Sequence, residues 1–565
     1  MKKLWAGALA VLTLLACSGC MQNTQAEAAG ETQIVFSESG AQAEGASGGY
    51  TIQGTDVTIA EAGVYRLSGE ASEGTVTVQE NTQGVTLIFD GLSLQSASSA
   101  PVICGKNTQV ALELAQNSSN TLINSEPADD TQAEGAAIKV KTGASLSITG
   151  AGILNCEGLC KNGIKGAAQA EILIDGPTLT IDAQTNGLAS DGTVTICSGT
   201  IAVRAQEDGI AAGESLVVSG GALDIQTGQG HEQLADETVS TKCLKSDAAL
   251  SITGGTFVLD SAEDGVHGVE VQLLGGSFSI AASDDAIHAD EALTIGQASG
   301  EGPAIDISTC YEGMEGAQVY LNAGSVNLCA TDDGINAAGD ESGAAGYLIE
   351  ISDGDYWIDA GGDGLDSNGN IAMTGGTMEI YGAPNQENSA LDYENSFDYQ
   401  GGTLLAAGIT GMTQTPTGLC VVFGEDGSMG GMRGSAQQPP DGEMGGQQQP
   451  AGAAQTPLEQ PDEQTDGQTM EESDDVPRGG PAAAQIENAL LEEGTAFSIQ
   501  DEAGNVLYEG TGVKQANSII FACGQLAERQ TYSLVVNGQA VATAQAAQQQ
   551  GTGGRMAGPG GLGQA

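Results

Sequence analysis

The sequence predicts an all-β fold, a parallel β-helix of about twelve coils, from three observations. A short motif recurs along the chain: an acid or asparagine, glycine or alanine, an aliphatic residue and a polar residue, then two alternating strands separated by Gly-Gly. The motif repeats every 21 to 34 residues, the size of one coil whose strands stack on those above and below. Glycine is abundant, at 85 of 565 residues, and aromatics are only 4%, which favours a lean aliphatic core with many turns.

The first residue of each repeat is polar in nearly every copy, and equivalent residues of stacked coils should form a column. This first column contains Asn162, Asn186, Asp208, Lys242, Asp264, Asp285, Glu312, Asp333, Asp363 and Ser389. Degenerate copies begin at Ala100 and Ala136, and alternating segments over 48–96 predict capping coils that cover the open end of the core. The predicted β-helix therefore spans 48–425.

Residues 1–16 have the form of a bacterial export signal. Lys2 and Lys3 precede an apolar run that ends at Ala16 and is short for a membrane span. The run leads into Leu-Leu-Ala-Cys, which resembles a lipobox, so we expect lipidation at Cys17 and a lipid-anchored protein at the cell surface. Cys20 is the second candidate, and an ordinary secretory signal is the alternative. Residues 17–47 are predicted to be a flexible linker.

The chain changes character after the repeats. Residues 426–485 are rich in Gly, Gln, Pro and acids and carry almost no branched aliphatics, which is typical of a disordered insert. Alternating segments return over 486–543 and predict a small terminal β unit. A Gly/Gln-rich flexible tail is predicted over 544–565.

The charge excludes several classes of partner. Lys and Arg number 16 against 74 Asp and Glu, a net charge of −58. Binding to nucleic acid or to anionic lipid requires cationic groups, so we expect neither partner, and membrane contact only through the lipid anchor. The cysteines are mostly isolated and are expected to be small core residues, although some pairing stays open.

A second polar column lies three residues after the first. It contains Lys165, Ala189, Ala211, Lys245, His267, His288, Glu315, Asn336, Asp366 and Asp392. Carboxylates therefore crowd one corner of successive coils, and a row of them is costly unless cations intervene or the groups protonate. Calcium prefers hard oxygen ligands, so calcium is the predicted cofactor. Candidate metal ligands are Asp264, Asp284, Asp285, Asp290, Glu312, Glu315, Asp332, Asp333, Asp363, Asp366 and Asp392.

Two alternatives stay open for these columns. Asp and Asn could simply cap backbone amides in the turns before glycine. His267 and His288 occupy equivalent positions in adjacent coils with acids beside them, which suits either a transition-metal pair or a stacked, hydrogen-bonded polar column.

Tyrosines concentrate in the later coils, where the acids are densest. Sugar-binding surfaces commonly use exposed aromatic rings, so Tyr311, Tyr356, Tyr381 and Tyr393 are candidate ligand-binding residues. Their places in alternating strands also suit core residues.

Several segments carry a family resemblance. TIAEAGVYRLSG from Thr58 to Gly69, the run that begins VTLIFDGLSLQ, and the later DGIN, YEGMEG, GDGLDSNG and SALDYE segments occur in order. Together they resemble the carbohydrate-binding β-helix proteins of cellulolytic bacteria. The resemblance implies a right-handed parallel β-helix shaped like pectate lyases, bound calcium, and binding of pectic acid or cellulose-like polysaccharide. The sequence departs from it at Lys242-Cys243 and Ser389-Ala390.

We therefore expect a carbohydrate-binding surface protein without catalytic residues, which prefers acidic plant-type polysaccharide. The first alternative is a polysaccharide lyase or hydrolase on the same fold, since such folds host both. For a lyase, Lys165 and Lys245 of the second column are the candidate bases, although both could instead pair with neighbouring acids. A hydrolase would instead use paired carboxylates, which are abundant here. The second alternative is a passive adhesin or stalk.

Overall fold

A computed structural model describes residues 30–45, 48–125, 135–233, 238–339, 346–385, 388–410, 414–424, 486 and 488–551. The predicted export signal, Cys17 and the predicted insert 426–485 lie outside these residues. The described part of the chain is all β: it contains no helix, and so none that could cross a membrane.

The strands are short and follow one another with tight connections. Strands β1–β10 are Thr32–Phe36, Gln42–Gly45, Tyr50–Gln53, Asp56–Ile59, Gly63–Ala71, Thr75–Val78, Val85–Ser96, Val102–Cys104, Gln109–Leu114 and Ser119–Asn124. Strands β11–β24 are Ala136–Val140, Ser145–Gly150, Ile153–Gly158, Asn162–Gly166, Glu171–Ala183, Leu188–Ser190, Thr193–Ala205, Ile210–Ala212, Ser215–Val218, Ala222–Thr227, Leu244–Ile252, Thr256–Ser261, Val266–Leu273 and Ser277–Ala282. Strands β25–β38 are Ile287–Ile295, Ala304–Thr309, Met314–Leu321, Ser325–Ala330, Ile335–Ala337, Leu348–Ile351, Asp355–Ala360, Leu365–Ser367, Asn370–Met373, Thr377–Tyr381, Leu391–Tyr393, Ser396–Tyr399, Thr403–Gly408 and Thr417–Gly424. Strands β39–β44 are Ala496–Asp501, Val506–Thr511, Ser518–Cys523, Thr531–Val536, Gln539–Gln545 and Ala547–Gln550.

Forty of these strands form one large, mostly parallel sheet. Each strand of the repeat region pairs in parallel with its equivalent in the next repeat, as β23 does with β25 and β25 with β27. The register places equivalent residues side by side, and every neighbouring pair of the predicted second column is aligned in this way, from Lys165↔Ala189 to Asp366↔Asp392. The predicted second column is confirmed.

The core consists of aliphatic columns that run through one continuous cluster from Ile34 to Ala522. The alternation of apolar and polar residues along each strand produces these columns, because every second side chain of a strand points to the same face. Phe257 and Phe278, one repeat apart, stack with ring centroids 4.5 Å apart. Six of the nine described cysteines are buried, as expected for small core residues.

Two kinds of glycine shape the repeats. Gly276, in a Gly-Gly pair, has φ +104°, a conformation that residues with a Cβ rarely adopt. Gly364, which follows the first-column residue Asp363, is required for a different reason. A Cβ there would lie 2.1 Å from Ile380 Cγ2 and 2.6 Å from the carbonyl oxygen of Ala390, so only glycine allows this approach between repeats.

Ordered strands begin earlier than predicted. The predicted linker 17–47 contains β1 and β2, which pair with each other, and β1 also pairs in parallel with β5. Ile34 and Phe36 of β1 are buried because they extend the aliphatic columns by one further layer.

The C-terminal residues form two structures. Strands β39, β40, β42 and β43 make a separate antiparallel sheet, as the predicted terminal β unit required. Strand β41 returns to the main sheet and pairs antiparallel with β37 and β38. The predicted tail 544–565 is ordered at its start, because β44 pairs with β38 through the backbone and needs no apolar side chains to do so.

Candidate functional site

First-column residues sit in the turn that precedes a short strand, and backbone bonds between repeats hold them in a row. The amide of Gly265 donates to the carbonyl of Asp285 at 3.0 Å, and Gly334 donates to Asp363 at 2.8 Å. The side chains add to this ladder, since Asp333 Oδ1 accepts the amide of Asp363 at 2.6 Å. The turn-capping role considered from the sequence is therefore present, but the capped amide belongs to the next repeat.

The upstream part of the columns is neutralised by the protein's own cations. Lys242 Nζ contacts Glu263 and lies 2.7 Å from Asp264 Oδ2, to which His267 Nδ1 also bonds at 2.9 Å. Burial opposes ionisation of Asp264, but the hydrogen bond from His267 and the charge of Lys242 hold its pKa at about 2. Asp264 is therefore a paired carboxylate that does not need a bound ion.

His288 continues this pairing one repeat further. Its Nδ1 lies 2.7 Å from Asp285 Oδ2 and 3.2 Å from Glu315 Oε2. Burial opposes protonation, but these two carboxylates raise the pKa of His288 to about 9. Burial and the nearby aspartates raise the pKa of Glu315 to about 7.

The downstream acid cluster, Asp333, Asp363 and Asp366, has no such cation. One carboxylate oxygen from each lies within 4.8 Å of the others, and no described lysine or arginine forms an ion pair with them. Burial, followed by repulsion between the carboxylates, raises the pKa of Asp363 and of Asp366 to about 7 and that of Asp333 to about 6. Ionisation of all three carboxyls is therefore costly, and either bound protons or a bound cation would relieve that cost.

Asn336 adds an amide oxygen beside this cluster. It stands in the second column between Glu315 and Asp366 and donates through Nδ2 to Glu312 Oε2 at 3.0 Å. Its Oδ1 is buried and has no hydrogen-bond partner in the described structure. An unpartnered buried amide oxygen costs about 1–3 kcal/mol, and a bound cation would satisfy it. The sequence predicts Asn336 as a column residue but not as a metal ligand.

The other predicted ligands are spread along the same corner. Asp392 Oδ1 accepts a hydrogen bond from Gln414, and the Asp332 carboxylate accepts one from Tyr311. Burial raises the pKa of Asp284 and, despite its bond to His288, that of Asp285. Asp290 Oδ1 lies 3.6 Å from the Nε2 atoms of both column histidines. The predicted ligands therefore differ in their partners. Cationic side chains face Asp264, Asp285, Asp290 and Glu315, neutral side chains donate to Glu312, Asp332 and Asp392, and the downstream acid cluster has no lysine or arginine partner among the described residues.

The structure places three of the four candidate tyrosines in the interior. Tyr356, Tyr381 and Tyr393 are at most 2% exposed, and their hydroxyls bond to the backbone carbonyls of Asp353, Thr511 and Thr415 respectively. Their rings fill the core, so they cannot serve as an exposed ligand face in this structure. Tyr311 is 48% exposed beside Asp332.

With this geometry in place, comparisons with known proteins identify a family. A family model described as carbohydrate-binding domain-containing protein matches residues 53–201, 167–286 and 283–414, which together span more than half of the chain. The chain belongs to this family of carbohydrate-binding domain-containing proteins. The overlapping matches reflect the internal repeats.

One sequence relative and one solved structure are similar to this carbohydrate-binding domain protein. A carbohydrate-binding domain-containing protein of Acetivibrio thermocellus is 26% identical over 185 residues, which cover 31% of this chain and 64% of that protein, less than two thirds of its length. A solved structure of a polysaccharide lyase-like protein from C. thermocellum, a gadolinium derivative, is 22% identical with a TM-score of 0.33 and covers 56% of this chain and 99% of that one.

The two candidate catalytic bases of this carbohydrate-binding domain protein are both engaged. Lys165 Nζ lies 2.6 Å from Asp191 Oδ1, and Lys245 Nζ lies 3.3 Å from Asp208 Oδ2. These ion pairs with neighbouring acids are the alternative to a catalytic role that was considered from the sequence.

Proposed function

We propose that this protein binds acidic polysaccharide at the cell surface through calcium held by the downstream acid cluster, on a right-handed parallel β-helix. The family supports a polysaccharide partner. The repeat-to-repeat parallel pairing supports the β-helix, and its hand follows from the strong right-handed preference of parallel crossovers. Lipidation at Cys17 would anchor the protein at the surface.

The observation that carries the calcium proposal is the convergence of three partly buried carboxylates without a protein cation. Calcium takes six to eight oxygens at 2.3–2.6 Å, so two oxygens on opposite sides of one ion lie about 4.8 Å apart. The spacing of Asp333, Asp363 and Asp366 meets this limit. The unpartnered Asn336 Oδ1 supplies a fourth oxygen of the type calcium prefers.

Calcium also explains how a protein with a net charge of −58 can bind a polyanion. Protein and polyuronate repel each other unless a divalent ion shares ligands from both. Calcium that is only partly enclosed by protein oxygens has positions left for uronate carboxylates. Tyr311, exposed at the same corner, offers an aromatic surface for a sugar ring.

Binding of polygalacturonate to the purified protein, with calcium or with a chelator, tests this function. We expect retention with calcium and loss of retention with the chelator. The double variant Asp363→Asn/Asp366→Asn should bind at least 10-fold more weakly. The exposed pair Glu171→Gln/Glu270→Gln removes the same charge elsewhere and should bind as the unmodified protein does.

The same incubation distinguishes the other functions. Steady release of unsaturated or reducing products would make the protein a lyase or hydrolase. Calcium-independent retention would reject the bridging role, and no retention of any polysaccharide would favour a stalk.

A further inference from the structure

A second cluster, distinct from the downstream acid cluster, combines nitrogen and oxygen donors. His267 and His288 are neighbours in the second column, and their rings stack with centroids 4.8 Å apart. The chain has three histidines, and two of them meet here. Both side chains are partly exposed, at 19% and 25%, so the pair is reachable from solvent.

Each imidazole is oriented by its own buried aspartate. His267 Nδ1 lies 2.9 Å from Asp264 Oδ2, and His288 Nδ1 lies 2.7 Å from Asp285 Oδ2. An ionised carboxylate only accepts hydrogen bonds, so each Nδ1 carries a proton, and a metal ion would take the place of any proton on Nε2. This arrangement is the one in which a carboxylate fixes the tautomer and ring direction of a metal-binding histidine.

The opposite nitrogens converge on a third donor. The Nε2 atoms of His267 and His288 are both 3.6 Å from the same atom, Asp290 Oδ1. Two ligand atoms that each lie about 2.1 Å from a tetrahedral zinc ion are about 3.4 Å apart. Each of the two Nε2–Oδ1 distances is therefore close to that between two ligands of one ion.

We propose that His267, His288 and Asp290 form a site for a divalent transition metal, Zn²⁺ in particular. Two imidazole nitrogens suit zinc and similar ions, whereas calcium takes oxygen ligands. Asp290 is 50% exposed, so the fourth position of the ion opens to solvent. A water or a ligand oxygen can occupy it there.

Zinc titration of purified full-length protein in millimolar calcium tests this site. We expect one zinc per chain that calcium does not displace, and with Co²⁺ the visible absorption of tetrahedral cobalt. His267→Gln and Asp290→Asn should each weaken zinc binding by about 10- to 100-fold or more. Asp290 is exposed, so its variant stays folded even if His267→Gln is destabilised, and thermal melts check both.

Two controls separate this proposal from the calcium function. His231→Gln removes the third histidine, which bonds to Asp260 elsewhere, and should leave zinc affinity unchanged. Asp363→Asn/Asp366→Asn should abolish the calcium effect but keep the zinc. Absence of zinc binding, displacement by calcium, or unchanged affinity in both His267→Gln and Asp290→Asn would overturn the proposal and leave the histidines as ion-pair partners only.

Discussion

Asp264 and Asp363 show how neighbours set the charge of one residue type at one repeat position. Both are first-column aspartates followed by glycine. Asp264 meets Lys242 and His267, which hold its pKa at about 2. Burial and the carboxylates of Asp333 and Asp392 raise the pKa of Asp363 to about 7. The same turn position therefore holds an ion-paired carboxylate in one repeat and a carboxyl whose ionisation is disfavoured in another.

This difference predicts how metal-free protein responds to pH. A carboxyl whose pKa is raised on folding stabilises the protein below its usual value of 3.8 and loses that contribution as pH rises through the folded value, about 6 to 7 for Asp333, Asp363 and Asp366. With chelator, the melting temperature should therefore fall as the pH rises from about 4 to about 7, and these three groups should cause no further fall above that range. Saturating calcium should reduce this fall, because the ion replaces the protons.

Thermal melts of Asp363→Asn/Asp366→Asn provide the control. His288, with a pKa raised to about 9, also loses stabilisation as pH rises, so the unmodified protein alone does not isolate the aspartates. The variant should show a shallower fall in chelator and little effect of calcium. An equally steep fall in the variant would contradict the assignment.

At the scale of strands and repeats, most of the strand pairing follows from the repeated sequence motif. A period of 21 to 34 residues with internal alternation predicted the parallel pairing and the complete second column, because equivalent residues of paired repeats must align. It could not predict β1 or β44. Strand β1 precedes the first recognisable copy of the motif, and β44 pairs with β38, which lies on the other side of the predicted insert.

The site was predictable to the same extent. The column of acids follows from the repeat, but the division into paired and unpaired carboxylates depends on which lysines and histidines reach them. Tyr381 illustrates a second limit: it is buried because the C-terminal β unit covers it, as its bond to Thr511 shows. Nothing in the repeat encodes that contact.

Gly364, the glycine after the first-column residue Asp363, gives a prediction about the packing between neighbouring repeats. Gly364→Ala would place a Cβ against Ile380 and the carbonyl of Ala390, and such overpacking costs about 1–3 kcal/mol. We expect a lower free energy of unfolding in denaturant and weaker calcium binding, because Asp363 and Asp366 flank the displaced backbone. Gly524→Ala, where a Cβ meets nothing within 4 Å, should be close to neutral. Equal stability of the two variants would contradict the close-approach argument.

At the scale of the molecule, the net charge limits which ligands can bind, and the large sheet has end strands that must be covered. With 74 acids against 16 lysines and arginines, the protein repels any polyanion that approaches within a Debye length, about 8 Å at physiological salt. An acidic ligand therefore needs bridging cations at the contact itself. The sheet has a second requirement: its end strands carry unpaired backbone N–H and C=O groups, which must be covered to prevent pairing with other chains.

The C-terminal residues cover the end of the large sheet. Strand β41 lies between β37 and β38, and Phe521 at its centre is paired in register with Leu405 and Val421. Its side chain is fully buried. The end of the large sheet is therefore closed by a strand that arrives from beyond the predicted insert.

This closure yields a prediction about self-association. Phe521→Asp buries a charge among apolar side chains and should detach β41, which exposes the edge of β37 and the apolar surface around Leu405. Exposed edges of this kind pair with other chains, so the variant should form oligomers by size-exclusion chromatography with light scattering. Val541→Asp changes a residue that is 47% exposed in the separate C-terminal sheet and should leave the oligomeric state unchanged. A Phe521→Asp protein with the unmodified protein's elution and melting temperature would show that β41 does not close the sheet.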